Sequence, residues 1–141
     1  MSNDWAAQRT EAARVQAERL QARQDAEHAA ASAMLVTFAA AAARGGLAPE
    51  PLQVKGYGGR GTARTPLEGW YLRNDRTAAV GVDGSFYLLI APLGVLDRLR
   101  GLTPTPVPPP LVLGAGGKDG DSIDLPDALE RVLPGWNAST A

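Results

Sequence analysis

The sequence predicts an α+β fold. A long N-terminal helix packs by its C-terminal half on a small antiparallel β-meander, with one short helix and one C-terminal helix. Three observations predict it. Trp5 to Arg44 contains neither proline nor glycine. Gly69 to Ala91 reads as three strands separated by Asn74-Asp75-Arg76 and Asp83-Gly84. Asp127 to Leu133 carries apolar residues at helical spacing between Pro126 and Pro134.

The first stretch is mostly Ala, Glu, Gln, Arg and Leu. These residues lose little side-chain freedom in a helix. Ser2, Asn3 and Asp4 offer cap oxygens, Arg44 suits the negative pole of the helix, and Gly45 and Pro49 end it. Such a helix is about 60 Å long at 1.5 Å per residue. Its halves differ. Residues 29 to 43 carry no charge, and Met34, Leu35, Val36 and Phe38 spread round the circumference, which predicts burial on most sides. Residues 5 to 28 are polar, and His28, the single histidine, is expected in solvent. A seven-residue seam runs through Trp5, Ala12, Val15, Ala22, Ala26, Ala29, Ala33 and Val36, interrupted by Gln8 and Arg19. Alanine buries little area, so the seam signals pairing weakly. The domain plan is a polar helical extension over 1–28, an α+β domain over 29–136, and a disordered tail over 137–141. Fifteen uncharged residues fall short of the roughly 20 that span a bilayer, and no signal peptide precedes them, so no membrane is expected and the cytoplasm is the default location.

After a proline-marked linker, Leu52 to Tyr57 reads as a short strand with Leu52 and Val54 on one face. Gly56, Gly58, Gly59 and Gly61 then alternate with Tyr57, Arg60 and Arg64, beside Lys55. Glycine lets backbone N–H groups converge on an anion, and an aromatic ring among arginines suits single-stranded nucleic acid. Lys55, Tyr57, Arg60, Arg64, Arg73 and Arg76 are therefore candidate ligand or nucleic-acid contacts. The alternative is a bulged hairpin loop with solvated arginines. No P-loop or dinucleotide fingerprint is complete, and no cofactor is implied.

Gly69 to Arg73, Thr77 to Val82 and Ser85 to Ala91 are the meander, with Asp83-Gly84 its strongest turn signal. Both faces of the third strand are apolar, which predicts a central strand covered on both sides. Trp70 and Tyr71 point to opposite faces. Tyr71 to Asp75 resembles the Tyr-x-x-x-Asp signal of type VII-secreted proteins, though that motif follows a helical hairpin and here it lies between strands. Pro92 to Arg100 reads as a short amphipathic helix, and Pro104 to Pro110 as an extended linker into a strand at Leu111 to Leu113. Gly114 to Gly120 is a second glycine-rich loop. Asp119, Asp121 and Asp124 follow at spacing that fails the EF-hand pattern, so a turn is expected and no metal. Trp136 is expected to fold back on the domain.

The chain has 141 residues and a net charge of −1, which gives no global pull towards nucleic acid. It has no cysteine, which excludes thiol chemistry and disulfides. No serine has a recognisable base partner, so the balance falls against an enzyme. The leading expectation is an interaction or assembly module, a homodimer through Trp5, Ala12, Val15, Ala22 and Ala26. The alternative is nucleic-acid or phosphate-ligand binding at residues 55–64 and the nearby arginines, and a third is a small enzyme. The element order is similar to that of small bacterial secretion chaperones, which dimerise and hold client segments; the likeness is in order alone.

Overall fold

The computed structural model describes residues 2–114 and 122–138. The second glycine-rich loop, with Lys118, Asp119 and Asp121, and the last three residues of the tail lie outside the described residues.

One helix, α1, runs unbroken over Ser2–Arg44. Its end is a left-handed turn at Gly46 (φ 72°), where the Leu47 amide donates to the Ala42 carbonyl at 2.9 Å. This turn satisfies carbonyls the helix would otherwise leave unpaired. The strands are β1 (Glu50–Gly56), β2 (Thr62–Tyr71), β3 (Ala78–Gly81), β4 (Phe86–Leu88) and β5 (Ile90–Ala91), followed by α2 (Val95–Arg100). A small second sheet pairs β6 (Val112–Leu113) with β7 (Ile123–Asp124), and α3 (Leu125–Val132) closes the fold. The fold class is α+β, as expected.

The sheet departs from a plain antiparallel meander. Its order is β4-β3-β2-β1-β5, and β5 pairs with β1 in parallel. The cause is continuity. Residues 86 to 91 leave β3, and at Leu89 the amide donates to the Thr77 carbonyl while the Leu89 carbonyl accepts from Lys55 N–H, both at 2.8 Å. One segment therefore joins the two edges, and the sheet curls closed. Closure removes the unpaired edges that would recruit other chains.

Curling gives the sheet two faces with separate cores. Inside lie Leu52, Val54, Ala79, Tyr87 and Leu89, with Leu67, Tyr71 and Ala91 against them. Outside, Trp70, Leu72, Ala78, Val80 and Phe86 meet Leu35, Phe38 and Ala42 of α1, and Leu125, Ala128 and Leu129 of α3. Alternation along β2, β3 and β4 divides the two sets, as a period of two requires. Phe38 meets Trp70 edge-on, with centroids 5.7 Å apart and planes at 83°. The third strand pairs with β3 through β4 and with β1 through β5, so it is the segment that closes the sheet, but it is not covered along both faces. Phe86 and Tyr87 are buried on opposite faces, but Leu88 and Ile90 point to solvent.

The apolar half of α1 is buried on one side only, which corrects the expectation of cover nearly all round. Ala31, Leu35, Phe38, Ala39 and Ala42 are at most 5% exposed, whereas Val36 is 57% exposed. The proline-rich segment after α2 is a strap along this edge. Val107 N–H donates to Phe86 O at 2.9 Å, and His28 Nδ1 lies 2.8 Å from Pro109 O. His28 is thus half-buried against the strap, and is not the solvated side chain expected. Trp136 does fold back and is 5% exposed.

Candidate functional site

The six candidate basic and aromatic residues fall into two groups on separate parts of the surface. Lys55, Arg73 and Arg76 gather at the turn between β2 and β3. Lys55 Nζ donates to the Asp75 carbonyl at 2.9 Å, Arg73 pairs with the Asp75 carboxylate at 3.2 Å, and Arg76 pairs with Glu50 at 2.7 Å. Arg76 also lies 4.3 Å over the Tyr71 ring, and the Tyr71 hydroxyl accepts from Gln53 N–H at 2.8 Å. Burial acts to raise the Asp75 carboxyl, but the Thr77 hydroxyl, the Thr77 N–H and Arg73 all donate to it. The donors win, and its pKa sits below the ordinary carboxylate range. Two of the three cations at this turn are paired with carboxylates, and Lys55 is held by a backbone carbonyl. The open cleft beside it, about 410 Å³, is lined by Arg73, Asn74, Asp75, Ser122, Ile123 and Arg131. Arg131 there donates to Leu72 O at 2.9 Å, so its guanidinium also holds structure.

Tyr57, Arg60 and Arg64 belong to the other group. The glycine-rich stretch is the tip of the β1–β2 hairpin. Gly58 and Gly59 take φ of 63° and 73°, and Gly56 N–H donates to Gly61 O at 2.9 Å. Glycine here serves backbone geometry. Arg64 lies on β2, its Nη2 3.4 Å from Leu99 O, and Arg100 lines a cleft with it. Arg98 lies against Gly61. Sequence reasoning did not join Arg98 and Arg100 to this loop, because α2 is far from it along the chain. Among the described residues, Arg60, Arg64, Arg98 and Arg100 form no salt bridge. Val95, Leu96 and Leu99 of α2 are exposed and α2 buries no residue, so this helix does not pack by the apolar face its sequence suggests.

The interaction-helix candidates form a surface of a different kind. Every residue from Asp4 to Glu27 is exposed except Val15, which is half-buried. The most N-terminal hydrogen bond from α1 to the rest of the described chain is at His28. Ahead of it the helix stands clear of the domain for about 35 Å at 1.5 Å per residue. Its ion pairs are local: Arg14 reaches Glu11 and Glu18, and Arg9 lies 4.0 Å over the Trp5 ring. Trp5, Ala12, Ala22 and Ala26 are exposed along this length. The seam continues through Ala29, Ala33 and Val36, about 100–160° round the helix from Leu35 at 3.6 residues per turn. Ala29 and Ala33 therefore face away from the side that α1 commits to the sheet, and Val36 borders the Gly84 turn.

By length and composition alone, α1 also contains a stretch apolar enough to cross a membrane. Part of that stretch is the core face at Leu35, Phe38 and Ala42. Among the described residues no cluster of three or more Asp, Glu or His is placed to hold a metal ion. No protein-family model, curated protein or solved structure matches the chain.

Proposed function

We propose that this protein is an assembly module whose projecting α1 pairs with a second copy and carries the curled-sheet domain as a head. One observation supports this above the others: α1 continues from the head with a seam of small and apolar residues turned away from it. A lone helix is marginal in water, and packing of a face supplies most helical stability in proteins. The head covers α1 only from about His28 onward, which leaves the rest of its length for a partner to cover. Alanine at the seam permits close approach but buries little area each. The association is therefore modest and concentration-dependent. The arginines of the hairpin tip and α2 do not outweigh this reading. Arg60, Arg64, Arg98 and Arg100 are all exposed, and among the described residues no buried polar group beside them marks a ligand.

The test is the molar mass of the full chain by light scattering behind a sizing column, across a hundredfold range of concentration. A mass that doubles with concentration is expected, and deletion of residues 2–28 should give a monomer with the head still folded. A full-length monomer at the highest concentration would overturn the proposal.

A further inference from the structure

Resting on that reading, we infer that the two helices pair parallel and in register, so that both heads lie at the same end. The inference comes from the charges that flank the seam. Numbering heptads from Trp5 as the first core position, the flank on one side carries Arg9 and Arg23. The other flank carries Asp4, Glu11, Glu18 and Asp25. All of these lie on the part of α1 that is exposed and clear of the head.

In a parallel pair, an acidic-flank residue faces the basic-flank residue five positions later on the other helix. Asp4 then meets the second copy's Arg9, and Glu18 meets its Arg23. Glu11 meets Gln16, which is neutral, and Asp25 meets Ala30. Two-fold symmetry repeats each contact, and along the flanks no like charges oppose. An antiparallel pair sets each flank against its own kind: acid against acid, and Arg9 and Arg23 against arginine. Like charges juxtaposed across an interface oppose association. Arg19, on the seam, faces the second copy's Arg19 across the two-fold axis, and an acidic flank residue beside it offsets that repulsion. A first core position packs beside the preceding flank residue of the partner helix, which here is Glu18. Arg19 and Arg23 form no salt bridge within the described chain, whereas Arg9 lies over the Trp5 ring and Glu18 is shared with Arg14 of its own helix. Pairing runs from Trp5 to about Ala29. Beyond that the Gly84 turn lies against Val36, where a Cβ on Gly84 would come within 3.0 Å of Val36 Cγ2. The two heads therefore sit side by side where the seam ends.

The chain has no cysteine, which allows a direct test in the full-length protein. Gln8→Cys lies on the seam and Ala17→Cys on the opposite face of the same helix. In a parallel, in-register dimer the two thiols introduced by Gln8→Cys approach within disulfide range. Mild oxidation should link Gln8→Cys into a covalent dimer at least tenfold faster than Ala17→Cys. Dimeric mass by light scattering with equal linking rates would overturn the parallel arrangement and leave self-assembly standing. Monomeric mass would remove both. A charge exchange gives a second readout. Glu18→Arg should shift the dimer towards monomer by about tenfold in dissociation constant, and adding Arg23→Glu should restore it. Failure to restore would overturn the charge pairing.

Discussion

Phe38→Ala tests how α1 is anchored. Phe38 is fully buried, and its ring meets Trp70 edge-on at 5.7 Å between centroids. Truncating a buried phenylalanine costs about 3–5 kcal/mol, because transfer energy is lost and a cavity remains. Against a domain stability of about 5–15 kcal/mol, that is a large fraction. At about 4 °C per kcal/mol for a domain of this size, Tm falls by about 10–20 °C. The control is Val36→Ala, two residues earlier and 57% exposed. Exposed substitutions of this kind stay within about 0.5 kcal/mol. Urea unfolding followed by far-ultraviolet circular dichroism measures both. If Val36→Ala costs as much as Phe38→Ala, α1 does not present one face to the sheet, and the seam cannot face away from it.

Two further substitutions test the sheet and the turn. A Cβ on Gly69 would stand 2.1 Å from Val80 O and 2.8 Å from Gly81 Cα, both backbone. Gly69→Ala should therefore cost about 2–3 kcal/mol or more in urea unfolding, and a neutral result would contradict the β2–β3 register. Asp75 has its carboxyl pKa lowered, so its charge stabilises the fold above the ordinary carboxylate pKa and the benefit is lost as pH falls through the lower folded value. The Asp75→Asn variant should be less stable than the parent at pH 6, by less than about 1 kcal/mol because the side chain is partly exposed, and the gap should close once pH falls below the lowered folded pKa. A gap that widens on acidification would contradict the network.

The long helix was legible because its composition alone specifies it. Its facing was not. Ala31 and Ala42 are buried while Ala33 and Ala43 are exposed, and one residue type cannot signal both. The hairpins were read from Asp83-Gly84 and from alternation. The start of β2 was hidden by Pro66, which argues against a strand interior. In the fold Pro66 sits in an irregularity of the β1–β2 pairing, held by the Thr65 hydroxyl donating to Leu52 O at 2.7 Å. The closure through β5 was also hidden. Parallel neighbours ordinarily need a long crossover, and here the crossover from β1 to β5 is the antiparallel part of the sheet itself. The basic candidates were chosen by charge, and the pairing of Arg76 with Glu50 depends on a contact remote in sequence.

The head and the projecting helix are coupled through the cost of starting a helix. Nucleation fixes several residues for one hydrogen bond, whereas extension adds one bond per residue. Leu35, Phe38 and Ala42 pin the C-terminal turns of α1 to the sheet, so the nucleus comes with the folded head. Extension towards Trp5 then proceeds through good helix formers, reinforced by the Glu11–Arg14–Glu18 ion pairs. In a single chain the Trp5 end frays first, because among the described residues α1 makes no hydrogen bond to the head before His28. A second copy on the seam would bind only the helical form and would therefore stabilise it by mass action. The same linkage runs in reverse. Phe38→Ala touches no seam residue, yet by loosening the anchored turns it must weaken any pairing that requires the helix to be continuous.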